Sequence, residues 1–428
     1  MQRKLLIIFI PMTLLLLAAA WISYNTDYLT PPWGWHKLPS ASPATDQNST
    51  DQITTDQIPT DQIPTDQNFV PEYRGFAAAA LELLLTERAR IGTPSLSAAV
   101  AQQGEIIWAA TAGWASLQPP VPASVNTVYR IGSTSKAVTA TAMARLVQSG
   151  QLDLDAPISR YVDDLPNPDW QPLTPRQLAS HTSGLPGYTE NRDWWGVYQT
   201  IHLGRRFTST DDMLAVFDGS ELLFQPGTDF HYSSFDSNVN AHVMTRITGQ
   251  DYPALMQSLV FAPLQMNNTS VDDVSRRPEN MATFYRLRAD GQVRPWRDVD
   301  LSLKWPGGGL LSSSSDLVRL GSAWLDDDYI KPSVRQQFWS PQRLASGEIN
   351  AQSYAVGWRV STSSRLEYQG KPLLYAHHGG VSKGAMSWLV VYPELQLVVA
   401  INSNSKAETF QAFAAAETAL TRLLLEFL

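Results

Sequence analysis

The sequence predicts an α/β protein of the α+β kind: an antiparallel sheet built from both ends of the chain, flanked by helices, with a mainly helical insertion between them. Three observations point there. Leu96–Ala101 and Glu105–Ala110 are strand-like runs on either side of Gln102-Gln103-Gly104, a hairpin signal. Ser387–Tyr392 and Leu395–Ile401 form a second apolar pair across Pro393-Glu394. Between them lies a long stretch of helical character with many Gly and Pro breaks, and hairpins rather than βαβ units at both ends argue against a parallel sheet.

Taken in order, the chain divides into three segments. Residues 1–22 start Met-Gln-Arg-Lys and run without charge from Leu5 to Ile22, interrupted only by Pro11 and Thr13. That length is within the range of a single membrane span. A basic start, a Leu-rich run and Ala18-Ala19-Ala20 also fit a signal peptide cut after Ala20. Residues 23–70 contain Thr-Asp-Gln beginning at Thr45, Thr50, Thr55, Thr60 and Thr65, a repeat of period five. Such polar, Pro-containing sequence cannot bury enough surface to offset its ordering entropy, so a disordered linker is expected. A long tether makes most sense with one end fixed, which favours an uncleaved anchor over a signal peptide. Both readings of residues 1–22 carry the bulk of the protein out of the cytoplasm, to a periplasm or cell surface.

Residues 71–428 form the globular unit, with an Ala/Leu-rich helix expected over Phe76–Ile91 and another from about Glu408 to Leu428. The whole chain has 428 residues, 32 basic and 40 acidic side chains and a net charge of −8, with no basic footprint for nucleic acid. That charge is +2 over residues 1–37, −5 over the linker to Val70 and −5 over the remainder. The absence of Cys removes disulfides, thiolate metal sites and a cysteine nucleophile together. Chemistry must come from Ser, Lys, Tyr, His or carboxylates, with no cofactor and no metal expected.

Two patterns mislead. Gly380-Val381-Ser382-Lys383-Gly384 matches G-x-S-x-G, but that elbow needs a helix after the Ser and a triad His later in the chain. Strand comes next here, and His378 is the last histidine. No H-E-x-x-H or other His/carboxylate cluster of ligand spacing occurs. S-x-x-K occurs at Ser133–Lys136 and at Ser403–Lys406; about one match is expected by chance in a chain this long. Ser133 follows a β-like run, Thr127–Ile131, and opens a helix whose apolar face includes Val138, Ala142 and Leu146. Lys136 then lies one turn on, beside the Ser133 hydroxyl, and the helix dipole favours the developing alkoxide.

The segment Tyr129-Arg130-Ile131-Gly132-Ser133-Thr134-Ser135-Lys136 resembles the nucleophile region of the serine β-lactamase-related hydrolases: class C β-lactamases, DD-peptidases, related esterases and the mitochondrial β-lactamase-like protein. Further segments appear in that family's order. His181-Thr182-Ser183-Gly184-Leu185 resembles its H-T-S-G-L signature, and Tyr232-Ser233-Ser234 its tyrosine motif. Pro263-Leu264-Gln265-Met266 resembles its P-L-G-M turn, and Gly307-Gly308-Gly309-Leu310 its glycine-rich return to the sheet. The resemblance covers most of residues 71–428 and implies a β-lactamase/transpeptidase-like fold.

It also implies a site. The family's third element is a basic residue, any residue, then Gly. Tyr375-Ala376-His377-His378-Gly379-Gly380 allows two registers, and Gly384, six positions after His378, selects His378-Gly379-Gly380. The catalytic set is then Ser133, Lys136, Tyr232 and His378, with one of the two histidines facing away. A serine nucleophile needs a base within hydrogen-bond reach. Neutral Lys136, or Tyr232 as phenolate stabilised by Lys136 and His378, supplies it. The resemblance places the oxyanion between the Ser133 and Val381 N–H groups, and Gly379-Gly380 lets the strand approach substrate. Ser234 stands where the family commonly has the Asn that contacts the substrate amide, and His378 where dedicated β-lactamases usually have Lys. Trp194-Trp195 either line the mouth or simply pack.

The expected function is therefore acyl-enzyme hydrolysis of amide or ester bonds in a small-molecule, peptide or ester substrate, of peptidase or esterase type. Cell-wall D-amino-acid peptides are one candidate substrate. A penicillin-binding or sensing module with slow deacylation, or a true class C-like β-lactamase, is the alternative. A purely structural assembly has no feature in its favour.

Overall fold

The computed structural model describes residues 33–38, 63–188, 190 and 194–427. The main sheet uses strands β1 (Thr65–Phe69), β2 (Ser95–Gln102), β3 (Glu105–Leu117), β4 (Arg359–Tyr368), β5 (Lys371–Ser382), β6 (Ala385–Tyr392) and β7 (Leu397–Ser403). Their order is β4-β5-β6-β7-β2-β3-β1, every pairing antiparallel, with Pro120–Pro122 added on β3. The expected joining of the termini occurs between β7 and β2, where Leu397 faces Gln102 and Ser403 faces Leu96.

Local chemistry explains the hairpins. Gln103 and Gly104 both have positive φ, 51° and 85°, as the two-residue turn matching strand twist requires. Helix α1 (Arg74–Ile91) stops at Gly92, whose φ of 72° forms a left-handed cap. The C-terminal helix α5 (Phe410–Leu425) starts where the Thr409 hydroxyl accepts the Ala412 N–H at 3.1 Å. Three further helices matter to the site: α2 (Ser135–Gln148), α3 (Phe235–Thr248) and α4 (Ser314–Ala323).

Strand alternation sorts the core into two layers. Leu389, Val391, Val398 and Ala400 point to the layer containing α2, α3 and α4. Val390, Leu397, Val399 and Ile401 point to the layer containing α1 and α5. Helix α2 is buried nearly all round, not only along Val138, Ala142 and Leu146, as expected of a helix enclosed in a large core. Its polar positions are satisfied: Thr141 donates to the Ala137 carbonyl at 2.9 Å and accepts from the Trp324 indole at 2.9 Å.

The linker boundary needs correction. The fifth Thr-Asp-Gln lies in β1, which pairs with β3 from Thr65 opposite Ala112 to Phe69 opposite Trp108. Asp66 accepts the Val125 N–H at 2.9 Å, and Gln67 accepts the Trp108 indole at 3.3 Å. The 13-residue β3 would otherwise present an unpaired edge, and a mostly polar strand covers part of it. His36–Lys37 also pairs with Gln292–Val293. Folded structure therefore begins before residue 71. The anchor or signal expected over residues 1–22 and the other four repeats lie outside the described residues. Among the described residues no helix is long and apolar enough to cross a membrane.

Candidate active site

Ser133 sits in the single 3-10 turn Gly132–Thr134, between the short strand Tyr129–Arg130 and α2. This turn is wedged against β5. Gly132 has φ of 50°, and a Cβ there would meet the Val381 backbone at 2.6–2.7 Å. A Cβ on Gly380 would overlap the Ile131 carbonyl, and one on Gly379 would overlap the Phe410 ring. The two glycines thus admit the nucleophile turn on one face of β5 and an aromatic side chain on the other, whereas the motif alone suggests close approach of substrate.

The turn is tied down from behind. Arg130 and Asp272 form a buried ion pair at 2.7 Å. The same guanidinium donates to the Lys383 carbonyl at 3.3 Å and lies 4.4 Å from the Phe284 ring centre. One cation therefore links the strand before Ser133 to the turn after Val381.

Lys136, in the first turn of α2, is buried. Its Nζ donates to Ser234 Oγ at 3.0 Å and to the Gly307 carbonyl at 2.7 Å, and lies 4.8 Å from the Tyr232 ring centre. Ser234 is thus engaged by Lys136, and it also hydrogen-bonds Tyr188. Burial pushes the Tyr232 phenol up, but Lys136 and Arg359, aided by hydrogen bonds from Lys136 and Ser133, outweigh it. The phenol lies below the ordinary tyrosine range.

Arg359 was not legible in the sequence. It opens β4 opposite His377, and its guanidinium carbon lies 5.4 Å from the Tyr232 ring centre and 4.9 Å from that of Tyr354. Its Nη2 donates to Gln352 at 2.6 Å, which fixes its direction. No motif marks this arginine; only the pairing of β4 with β5 brings it to Tyr232.

The histidines divide as strand alternation demands. His377, Gly379 and Val381 line an open cleft of about 380 Å³ together with Ser133, Tyr232, Arg359, Trp388 and Phe410. His377 stacks on Tyr375 with ring centres 4.6 Å apart. His378 is fully buried on the face of β5 that carries Gly380 and the nucleophile turn, its Nε2 2.7 Å from the Tyr354 hydroxyl. It reaches Tyr232 only through Tyr354, whose ring centre is 6.0 Å from that of Tyr232. Burial, with Arg359 and Lys136 nearby, holds the His378 imidazole well below its usual range, so it is neutral. Beside Lys136, the second cation that lowers the Tyr232 phenol is Arg359.

The H-T-S-G-L segment supports the site from below. His181, at φ of 62°, places Nδ1 2.7 Å from Asp236, and Ser183 donates to the same carboxyl at 2.5 Å. The His181 ring centre lies 4.3 Å from that of Tyr232. Burial raises Asp236 well above the carboxylate range and lowers His181 well below its own, each disfavouring the charged form beneath Tyr232. Asp236 lies four residues after Tyr232, in no motif that would mark it from sequence.

The decoys fall away from the site. Ser382 ends β5 and is followed by a turn and β6. Ser403 is fully buried and donates to the Ser405 carbonyl at 2.8 Å. Trp195 is 52% exposed and stacks on Tyr198 at 5.2 Å, outside the lining of the Ser133 cleft.

Comparison with known proteins places the chain in a family. The Beta-lactamase family model matches residues 81–423. The human serine beta-lactamase-like protein LACTB, mitochondrial, is 27% identical over 406 residues, covering 76% of this chain and 74% of its own. Protein flp of Staphylococcus aureus strain N315 is 24% identical over 320 residues, covering 74% and 60%. The D-amino acid amidase of Ochrobactrum anthropi SV3 superposes with a TM-score of 0.67 at 22% identity, covering 82% of this chain and 99% of the other. A penicillin-binding protein from Bacillus halodurans gives 0.64 at 22% identity, covering 78% and 98%. With the match running through nearly all of the globular unit, the chain belongs to the Beta-lactamase family and is a serine hydrolase of that family.

Proposed function

We propose that Ser133 forms an acyl-enzyme with amide or ester substrates and that the protein is a peptidase- or esterase-type member of its family. The observation that carries this is the convergence of Ser133, Tyr232 and Arg359 on one cleft, with Lys136 against the Tyr232 ring. Tyr232 as phenolate takes the Ser133 proton while Oγ bonds to the substrate carbonyl carbon. The oxyanion is held by the Ser133 and Val381 N–H groups. Tyr232 returns the proton to the leaving nitrogen or oxygen as that bond breaks. Water then attacks the acyl carbon and gives its proton to Tyr232; the acyl–Oγ bond breaks, Tyr232 returns that proton to Ser133 Oγ, and the acid product departs with Tyr232 again a phenolate.

Two features favour the peptidase or esterase side. Ser234, engaged by Lys136, lacks the amide that would bind an acylamino group, and the third motif carries a neutral imidazole. Fold neighbours include a D-amino acid amidase and a D-stereospecific amidohydrolase, and small D-amino-acid amides or peptides are the amide substrates proposed. The basic start and apolar run from Leu5 to Ile22 support an extracytoplasmic enzyme held by a membrane segment. A panel of p-nitrophenyl esters, D-Ala peptides and nitrocefin tests the assignment. Turnover of esters or D-Ala peptides exceeding that of nitrocefin supports it. Efficient nitrocefin hydrolysis alone marks a β-lactamase, and a β-lactam adduct stable for hours without turnover marks a receptor.

A further inference from the structure

A cavity of about 820 Å³ lies apart from the Ser133 cleft, between the end of α1, the hairpin Tyr285–Leu287 to Gln292–Pro295, and the segment joining β7 to α5. Its walls gather Arg90, Arg286, Arg288 and Lys406, with Glu408 as the acidic member. This concentration of cations stands out in a chain of net charge −8. They come from separate stretches of sequence, so the fold, not a basic run, brings them together.

Two of the arginines lie over indole rings. The Arg286 guanidinium is 3.8 Å from the Trp296 ring centre and that of Arg288 is 3.8 Å from Trp35. Guanidinium and ammonium groups gathered in one cavity bind oxyanions through charge-assisted hydrogen bonds. Arg90 is oriented by Glu87 and by the Ala412 carbonyl at 2.6 Å. The volume is that of a small-molecule pocket, larger than a lone inorganic anion needs. The indoles add apolar wall for an organic portion.

We propose that this cavity binds a phosphate ester, its oxyanion held by Arg286, Arg288 and Lys406 and its organic part against Trp35 and Trp296. A soluble phosphate ester and a phospholipid headgroup share this chemistry. None of these residues lines the Ser133 cleft, so the inference stands apart from the catalytic reading.

Calorimetric titration of the full chain with glycerol 3-phosphate and with inorganic pyrophosphate tests it. Co-sedimentation with phosphatidylglycerol vesicles against phosphatidylcholine vesicles tests the lipid source. The expected result is one saturable site that weakens with added salt. It should weaken at least about tenfold in R286Q/R288Q and in Lys406→Gln, the latter leaving the hairpin untouched, and be retained in Ser133→Ala. Binding of the soluble anions identifies a soluble ester. Binding confined to phosphatidylglycerol, and reduced in the same variants, identifies a headgroup. Absence of binding to all probes at millimolar concentration, or binding equal in wild type and both cavity variants, overturns the proposal.

Discussion

The guanidinium of Arg359 stands 5.4 Å from the centre of the Tyr232 ring. It contributes with Lys136 to holding the phenol below its ordinary range. Removing this charge raises the Tyr232 pKa, so less phenolate is present at neutral pH. Arg359→Gln should therefore move the rising limb of kcat/KM against pH to the alkaline side by about one unit, with activity recovering at high pH. Arg359→Lys should restore much of the shift. A pH profile of ester hydrolysis for the three proteins checks this, and an unmoved limb would remove Arg359 from the account.

Gly380 occupies a position where any side chain overlaps the Ile131 carbonyl. Gly380→Ala must push β5 away from the nucleophile turn, and a displacement of about 1 Å at reacting groups costs on the order of 100-fold in rate. The expected outcome is a large fall in kcat with a smaller effect on thermal stability, measured by ester turnover and calorimetry on the same preparation.

The Arg130–Asp272 pair is buried on both sides. Asp272→Ala leaves the guanidinium unpaired in the interior, which costs about 3–5 kcal/mol. Urea unfolding should show the midpoint falling accordingly. Asp272→Glu should recover less than full stability because the pocket is closed.

His377 is buried, and burial with Arg359 nearby lowers its imidazole to about 3. The unfolded chain binds this proton below about pH 6.5 and the folded chain does not, so the stabilisation is present above 6.5 and lost as pH falls. At pH 5 the loss reaches about 2 kcal/mol. His377→Gln should flatten the decline in unfolding free energy between pH 7 and 5, as read by denaturant titration at each pH.

Much of this molecule is legible as pattern. The terminal hairpins and the helix after Ser133 follow from apolar periodicity, and ordered short motifs locate Ser133, Lys136 and Tyr232. The features that sequence hides depend on long-range pairing. Arg359 is one arginine among many until β4 lies beside β5. His378 satisfies the motif register, yet its ring is buried against the Tyr354 hydroxyl, a contact that only the folded pairing of distant segments creates. Asp236 looks like an ordinary helical carboxylate until the left-handed His181 is folded against it. The fifth Thr-Asp-Gln has the composition of a linker and becomes a strand because β3 offers it an open edge.

The central claim is that Ser133 is the residue acylated. Intact-mass and peptide-mass spectrometry after exposure to a penicillin or a fluorophosphonate probe tests it most directly. The account predicts one adduct in the wild type, located on the peptide carrying Ser133, and none in Ser133→Ala. An adduct that persists in Ser133→Ala, or that maps to Ser382 or Ser403, would contradict it.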